Sequence, residues 1–191
     1  MAKVYMCMAD GMEEVECLAV VDILKRGGVE VVMASMGEDE LVTGSHGIRV
    51  KADCLWSEKE CEACDAIFLP GGMGGTKRLS NHVQLGEMLK TFHKEGKLLA
   101  AICAAPTVLG KYGILEGKQA VCYPGLEDGM DYPGLEAGLT GAIKRTDGVV
   151  TDGNVVTGRG MGFAVDEGLE LVRLLVSEEV SRKVKAEIQH P

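Results

Sequence analysis

The stretch Leu98 to Leu109, LLAAICAAPTVL, constrains this chain more than any other. It is an apolar run that reaches Cys103 and continues through small residues to Pro106. A run of small and aliphatic residues reads as a buried strand, and a Pro shortly after it suits the first turn of a helix. Cys103 therefore falls at a sharp strand-to-helix turn. Such a turn projects one side chain beyond the carboxyl edge of a sheet and aims the next helix's amides at it. The thiolate is the reactive form of cysteine and a helix N-terminus favours negative charge, so this placement predicts a lowered thiol pKa. The same residues also suit a plain buried cysteine, since free Cys is among the commonest core residues.

The flanking chain supplies a sheet for that turn to sit on. Val4 to Met8 reads as a first buried strand, followed by a helix from the acidic turn Asp10 to Glu16 to about Arg26, where Gly27-Gly28 stops it. Val29 to Met33 and Asp65 to Leu69 read as further strands, and Leu41 to Lys51 as two short edge strands around His46, a solvated turn residue. Leu85, Met88, Leu89 and Phe92 keep helical spacing up to Gly96. Gln119 to Tyr123 reads as a strand, Gly125 to Gly141 as a long surface loop, and Val149 to Thr157 as a hairpin. Two helices close the chain, the first with Leu169, Val172, Leu175 and Val176 as its core face. The alternation predicts an α/β fold, a doubly wound sandwich with a mostly parallel sheet, in which ligands bind beyond the carboxyl ends of the strands. The acidic first loop, the turn Pro70 to Gly75 and Cys103 all lie at such ends.

At 191 residues and 46% hydrophobic, the chain has the size of one domain with a substantial core. A net charge of -9 argues against nucleic acid and anionic membrane as partners. The long uncharged run Leu98 to Gly110 is too short to span a bilayer, and the start of the chain lacks a signal peptide's apolar core, so a soluble, cytoplasmic protein is expected. Seven cysteines, an odd count, argue for reduced thiols. Cys61 and Cys64 have metal-like spacing without a second pair nearby, so no metal site is expected. Asp10, Glu13, Glu14 and Glu16 would repel a phosphate where a nucleotide site would offer glycines, so no cofactor is expected either. Helix-dipole complementarity at a helix start also accounts for most of these acids.

Four motifs in order, GMEEVE, FLPGGMGG, AAICAAPTVL and TGRGMG, make the chain resemble the ThiJ/PfpI family of the class I glutamine amidotransferase-like superfamily. The resemblance spans nearly all of residues 1–191 and is strongest to the branch containing a parkinsonism-associated protein deglycase. It implies a flavodoxin-like fold, a homodimer, and Cys103 as the reactive cysteine. By the same resemblance Glu16 hydrogen-bonds the sulfur, and the Gly72 and Ala104 amides form an oxyanion hole. Arg159 matches a residue at the site rim, where Gly158 lacks the hydroxyl of some members.

The chain departs from the family at its histidines. Protease-like relatives carry His where Ala104 stands, and deglycase-like relatives often carry His where Tyr123 precedes Pro124. His46, His82, His93 and His190 match neither position. Proton transfer therefore falls to Glu16, Tyr123 or water, and a protease is disfavoured. The resemblance implies a glyoxalase or deglycase acting on small α-oxoaldehydes such as methylglyoxal, or on their adducts. The alternative is an oxidative-stress sensor or redox-dependent chaperone working through oxidation of Cys103. Thiazole monophosphate biosynthesis, a label some family members bear, finds no phosphate site in the acidic first loop.

Overall fold

The computed structural model describes residues 1–191. β1 (Lys3–Met8) runs into α1 (Glu14–Arg26), which returns the chain to β2 (Glu30–Ser35). β3 (Leu41–Thr43) and β4 (Arg49–Lys51) pair only with each other, a small separate sheet and not an edge of the main one. β5 (Cys54–Leu55), α2 (Glu58–Glu62) and β6 (Ala66–Leu69) follow, then α3 (Met73–Asn81) and α4 (Val83–Glu95). β7 (Leu98–Ile102) and α5 (Pro106–Lys111) flank Cys103. β8 (Gln119–Ala120) and β9 (Ile143–Lys144) pair outside the main sheet, and β10 (Val149–Asp152) and β11 (Val155–Gly158) form the expected hairpin. α6 (Ala164–Leu175) and α7 (Glu178–Glu187) end the chain.

The main sheet has the order β10-β11-β7-β6-β1-β2-β5, and every pairing except β10 with β11 is parallel. This is the doubly wound, flavodoxin-like arrangement. After β1 the chain moves one way to β2, and after β6 it moves the other way to β7 and β11, so the switch point lies between β1 and β6. The period of two along β1 sends Val4, Met6 and Met8 to one face and Tyr5 and Cys7 to the other. The first face packs under α1 and α6 with Phe68, Ile102 and Val172, and the second under α4 and α5 with Ile67, Leu69, Leu89 and Phe92. Each fully buried side chain of this kind contributes about 1.5–3 kcal/mol.

Several expectations change. Gln119 to Tyr123 is a strand only over its first two residues, because the Tyr123 N–H turns away to Cys103 O at 2.7 Å. The loop Gly125 to Gly141 is no mere surface loop: its Leu126, Leu135 and Leu139 are buried in the second core. On α6 it is Leu171, not Val176, that completes the buried face, since Val176 lies past the helix end and is exposed. α3 begins inside the glycine-rich turn, at Met73.

Candidate active site

Three neighbouring strands, β1, β6 and β7, deliver the site from their carboxyl ends. After β7 the chain turns at Cys103 with φ 63, a left-handed conformation that costs a non-glycine residue about 1–3 kcal/mol. Two backbone bonds hold the turn: Cys103 N–H donates to Gly158 O at 2.9 Å, and Cys103 O accepts from Tyr123 N–H at 2.7 Å. The expected elbow is therefore present, and its side chain is only partly buried while Ala104 beside it is buried.

After β1, Glu13 caps α1 by accepting the Glu16 N–H at 2.7 Å. That cap fixes the first turn, so the Glu16 side chain points inward, 1% exposed, and its Oε2 accepts the Gly71 N–H at 3.0 Å. The Met161 N–H also reaches this carboxyl. After β6, Gly72 adopts φ 84, and a side chain there would strike Glu13 N at 2.6 Å. The Gly72 and Ala104 amides and the Glu16 carboxyl all lie close enough to the Cys103 thiol to act on its charge. Cys103, Glu16, Gly72 and Ala104, singled out in the sequence, thus lie together.

The electrostatics reverse one expectation. Burial and the Glu16 charge push the Cys103 thiol up to about 12, against the Gly72 and Ala104 amides, which pull it down. The helix behind it, six residues long, is too short to offset burial. Burial likewise raises the Glu16 carboxyl to about 7, against hydrogen bonds from Cys103, Gly71 and Met161, and the Glu13 charge adds to the rise. Near neutral pH the thiol therefore keeps its proton while Glu16 is close to half-protonated. When Glu16 carries its proton it no longer repels the sulfur and can donate to a thiolate. Burial also raises the other six thiols, none of which has such a partner.

Sequence reasoning missed Gly71. A side chain there would overlap Glu16 Oε2 and come within 2.6 Å of Cys103 Cβ and 2.8 Å of Ile102 O, so acid and thiol can meet only over a bare Cα. It also missed Glu167, which is fully buried next to Gly158. The one sequence signal was its place on the apolar stripe Ala164, Glu167, Leu171. His46 is exposed as expected, but its ring Nδ1 pairs with Glu14 Oε2 at 2.9 Å. Glu13, Glu14 and His46 bring possible ligand atoms within 4.8 Å of one another, but Glu14 is already engaged by the His46 ring and the His46 and Ile48 N–H groups. Tyr123, Arg159, Met161 and Phe163 line a recess of about 290 Å³ beside the elbow, and the Arg159 guanidinium is held by Thr146 O at 2.8 Å.

A doubly wound sheet with a strained cysteine elbow, an inward acid and two converging amides defines a cysteine-elbow α/β protein. Residues 2–174 match the DJ-1/PfpI family, and the chain belongs to that family. It is 35% identical to the deglycase PfpI of Pyrococcus furiosus, over 91% of this chain and 99% of that one. It is 34% identical to a glutathione-independent glyoxalase of Caenorhabditis elegans, over 87% and 84% of the two chains. The structure of oxidised DJ-1 from Toxoplasma gondii superposes with a TM-score of 0.88 at 37% identity, covering 99% of this chain and 98% of that one. These relatives support a glyoxalase- or deglycase-like function.

Proposed function

We propose that the chain, acting as a single domain, converts methylglyoxal-type α-oxoaldehydes, or their adducts with amines and thiols, into hydroxy acids with Cys103 as nucleophile. The observation that carries this reading is the meeting of Glu16 and the Gly72 and Ala104 amides on the Cys103 sulfur. Ionised Glu16 takes the thiol proton, the thiolate adds to the aldehyde carbon, and Glu16 passes that proton to the oxyanion held by the two amides, which gives a hemithioacetal. Glu16 then takes the proton from that carbon and returns it to the neighbouring carbon, while the hemithioacetal hydroxyl proton passes to the ketone oxygen; the ketone becomes an alcohol and a lactoyl thioester is left on Cys103. Water hydrolyses the thioester, which releases lactate and restores the thiol. The steps consume only substrate and water, and Glu16 serves where relatives place a His.

The test is lactate formation from methylglyoxal by the wild type and by Cys103→Ala in buffer free of amines and added thiols. Turnover that depends on Cys103 supports the reading, and equal rates for the two proteins overturn it.

A second reading, an oxidative-stress sensor or redox-dependent chaperone, draws on the same donors. Peroxide would convert Cys103 to sulfenate and then sulfinate, whose oxygens the two amides and protonated Glu16 suit as hydrogen-bond donors. Its support is the close likeness to an oxidised DJ-1 structure. Selective oxidation of Cys103 without aldehyde turnover favours it.

We further infer a homodimer working in the cytoplasm, with neither nucleic acid nor membrane as partner. Val15 and Leu18 on α1, with Met161 and Phe163 before and at the start of α6, are exposed apolar side chains that a second copy would cover. Light scattering reads the mass directly. No helix is long and apolar enough to cross a membrane.

A further inference from the structure

One face of α3 carries cations that the fold leaves without acids. Lys77, Arg78 and Asn81 of that helix, His82 at its end, and Met36 and Gly37 after β2 line a recess of about 500 Å³. No carboxylate lines it, although the chain as a whole has a net charge of -9. Cys103, Glu16, Gly72 and Ala104 lie outside it.

The donors of this recess are held in place and left unused. The Arg78 Nη1 donates to Asp10 O at 3.1 Å and to Gly74 O at 3.2 Å, which anchors the guanidinium between the first loop and the start of α3. Its Nε and Nη2, the edge that grips two oxygens side by side, have no partner. The His82 Nδ1 accepts the Leu85 N–H at 3.1 Å, so the neutral ring carries its proton on Nε2, which also has no partner. Trp56 packs edge-on against that ring, with 5.0 Å between centroids, and fixes its plane. Lys77 and Asn81, one helical turn apart, add an ammonium and an amide.

Arg78, Met36 and Gly37 also border a second recess of about 330 Å³, which Asp10, Glu38 and Asp39 make acidic. There Asp10 Oδ1 accepts the Thr43 N–H and Asp39 Oδ1 the Leu41 N–H, and none of the three acids forms an ion pair with Arg78. Their charges repel an anion and favour its placement in the recess that holds Lys77 and His82.

We propose that the recess lined by Lys77, Arg78, Asn81 and His82 binds the phosphate group of a small phosphomonoester. Two cations match a dianion, whereas a monocarboxylate needs one. The ammonium, the guanidinium fork, the amide and the imidazole N–H offer more donors than two carboxylate oxygens can occupy. A bare phosphate fills only part of about 500 Å³, a space of the size that holds a small metabolite. The site owes nothing to the chemistry at Cys103.

The test is a nitrogen-15 NMR titration of the full chain with phenyl phosphate, with inorganic phosphate and, at matched ionic strength, with acetate. The expected result is saturable shifts at the amides of Met36, Gly37 and Lys77 to His82 with both phosphates, phenyl phosphate binding the tighter, and none with acetate. Lys77→Gln and Arg78→Lys, the second keeping the charge but losing the fork, should each weaken phenyl phosphate by about tenfold or more, as loss of one charge-assisted hydrogen bond requires. The Lys77 side chain makes no hydrogen bond or ion pair, so Lys77→Gln decides alone if Arg78→Lys disturbs the first loop. Absence of saturable shifts at these amides, equal shifts with acetate, or undiminished binding in Lys77→Gln overturns the proposal. Inorganic phosphate binding as tightly as phenyl phosphate overturns the assignment to a monoester. Cys103→Ala should bind as the wild type does, whatever becomes of its aldehyde turnover.

Discussion

Gly71 N–H donates to Glu16 Oε2 at 3.0 Å, so the turn that presents the Gly72 amide to the sulfur is bonded to the acid that acts on the sulfur. Acid, donor and thiol are one assembly built from three strand ends, and disturbing one contact displaces the others.

Gly71→Ala tests that assembly. The added methyl has no free space, and overpacking of this kind costs about 1–3 kcal/mol. Turnover of methylglyoxal should fall at least tenfold with a lowered melting temperature. Gly162→Ala is the control: nothing lies within 4 Å of a methyl there, and its activity and melting temperature should match the wild type.

Cys103→Ala should abolish turnover and leave the melting temperature within a few degrees of the wild type. The backbone bonds to Gly158 and Tyr123 that hold the turn do not involve the side chain. Residual turnover above a hundredth of the wild-type rate would place the nucleophile elsewhere.

Glu16 gives a stability signature of unusual sign. Its folded pKa, about 7, lies above its unfolded value, so its protonated form is the one the fold accepts without penalty. Stability from this group is complete below the unfolded value, about 4.3, and declines as pH rises through about 7, by roughly 4 kcal/mol in all. Glu16→Gln should remove that decline, being the more stable protein at pH 8 and no more stable at pH 4. Its turnover should fall by about 10²–10⁴ with the loss of the proton shuttle. Urea unfolding at the two pH values, with initial rates, checks both.

The pair His46 and Glu14 should behave in the opposite way. Burial alone would raise the Glu14 carboxyl, but the His46 ring, with backbone N–H groups including those of His46 and Ile48, holds it at about 2, and Glu14 in turn raises His46. The Glu14 contribution is lost only as pH falls through about 2, and the His46 contribution is lost as pH rises through its raised value. His46→Gln should therefore destabilise the protein most at about pH 5.5, between the two unfolded pKa values, and little at pH 9. Chemical unfolding at both values measures it, and an equal loss at pH 9 would rule the ion pair out.

The elbow was legible because its signal is local: an apolar run, a cysteine and a Pro three residues on. The parallel sheet was legible from alternation, as were the caps at Gly27 and Gly96. What escaped was set by contacts between distant segments. Gly71 matters because Glu16 and Cys103 meet over it, and no pattern within its own turn separates it from Gly72. Gln119 to Tyr123 has the composition of a strand, yet the elbow captures the Tyr123 N–H and ends the pairing. The lowered thiol pKa failed for a similar reason: the sequence places the amides, but the burial that outweighs them comes from the whole site. Glu167 was passed over because an acid inside an apolar stripe is ordinarily read as turned outward.

The seven free cysteines carry one more consequence. Five are buried, and burial raises all seven above the ordinary thiol range, so in the native protein only Cys103, where two amides oppose that rise at a partly exposed elbow, is set up to react. Unfolding returns every one of them to about 8.5 and to water at once. Chemical selectivity and the fold are lost in the same step, and mixed disulfides then trap the chain. Thermal unfolding in air should accordingly be a one-way process, reversible only while a reductant keeps all seven sulfurs apart.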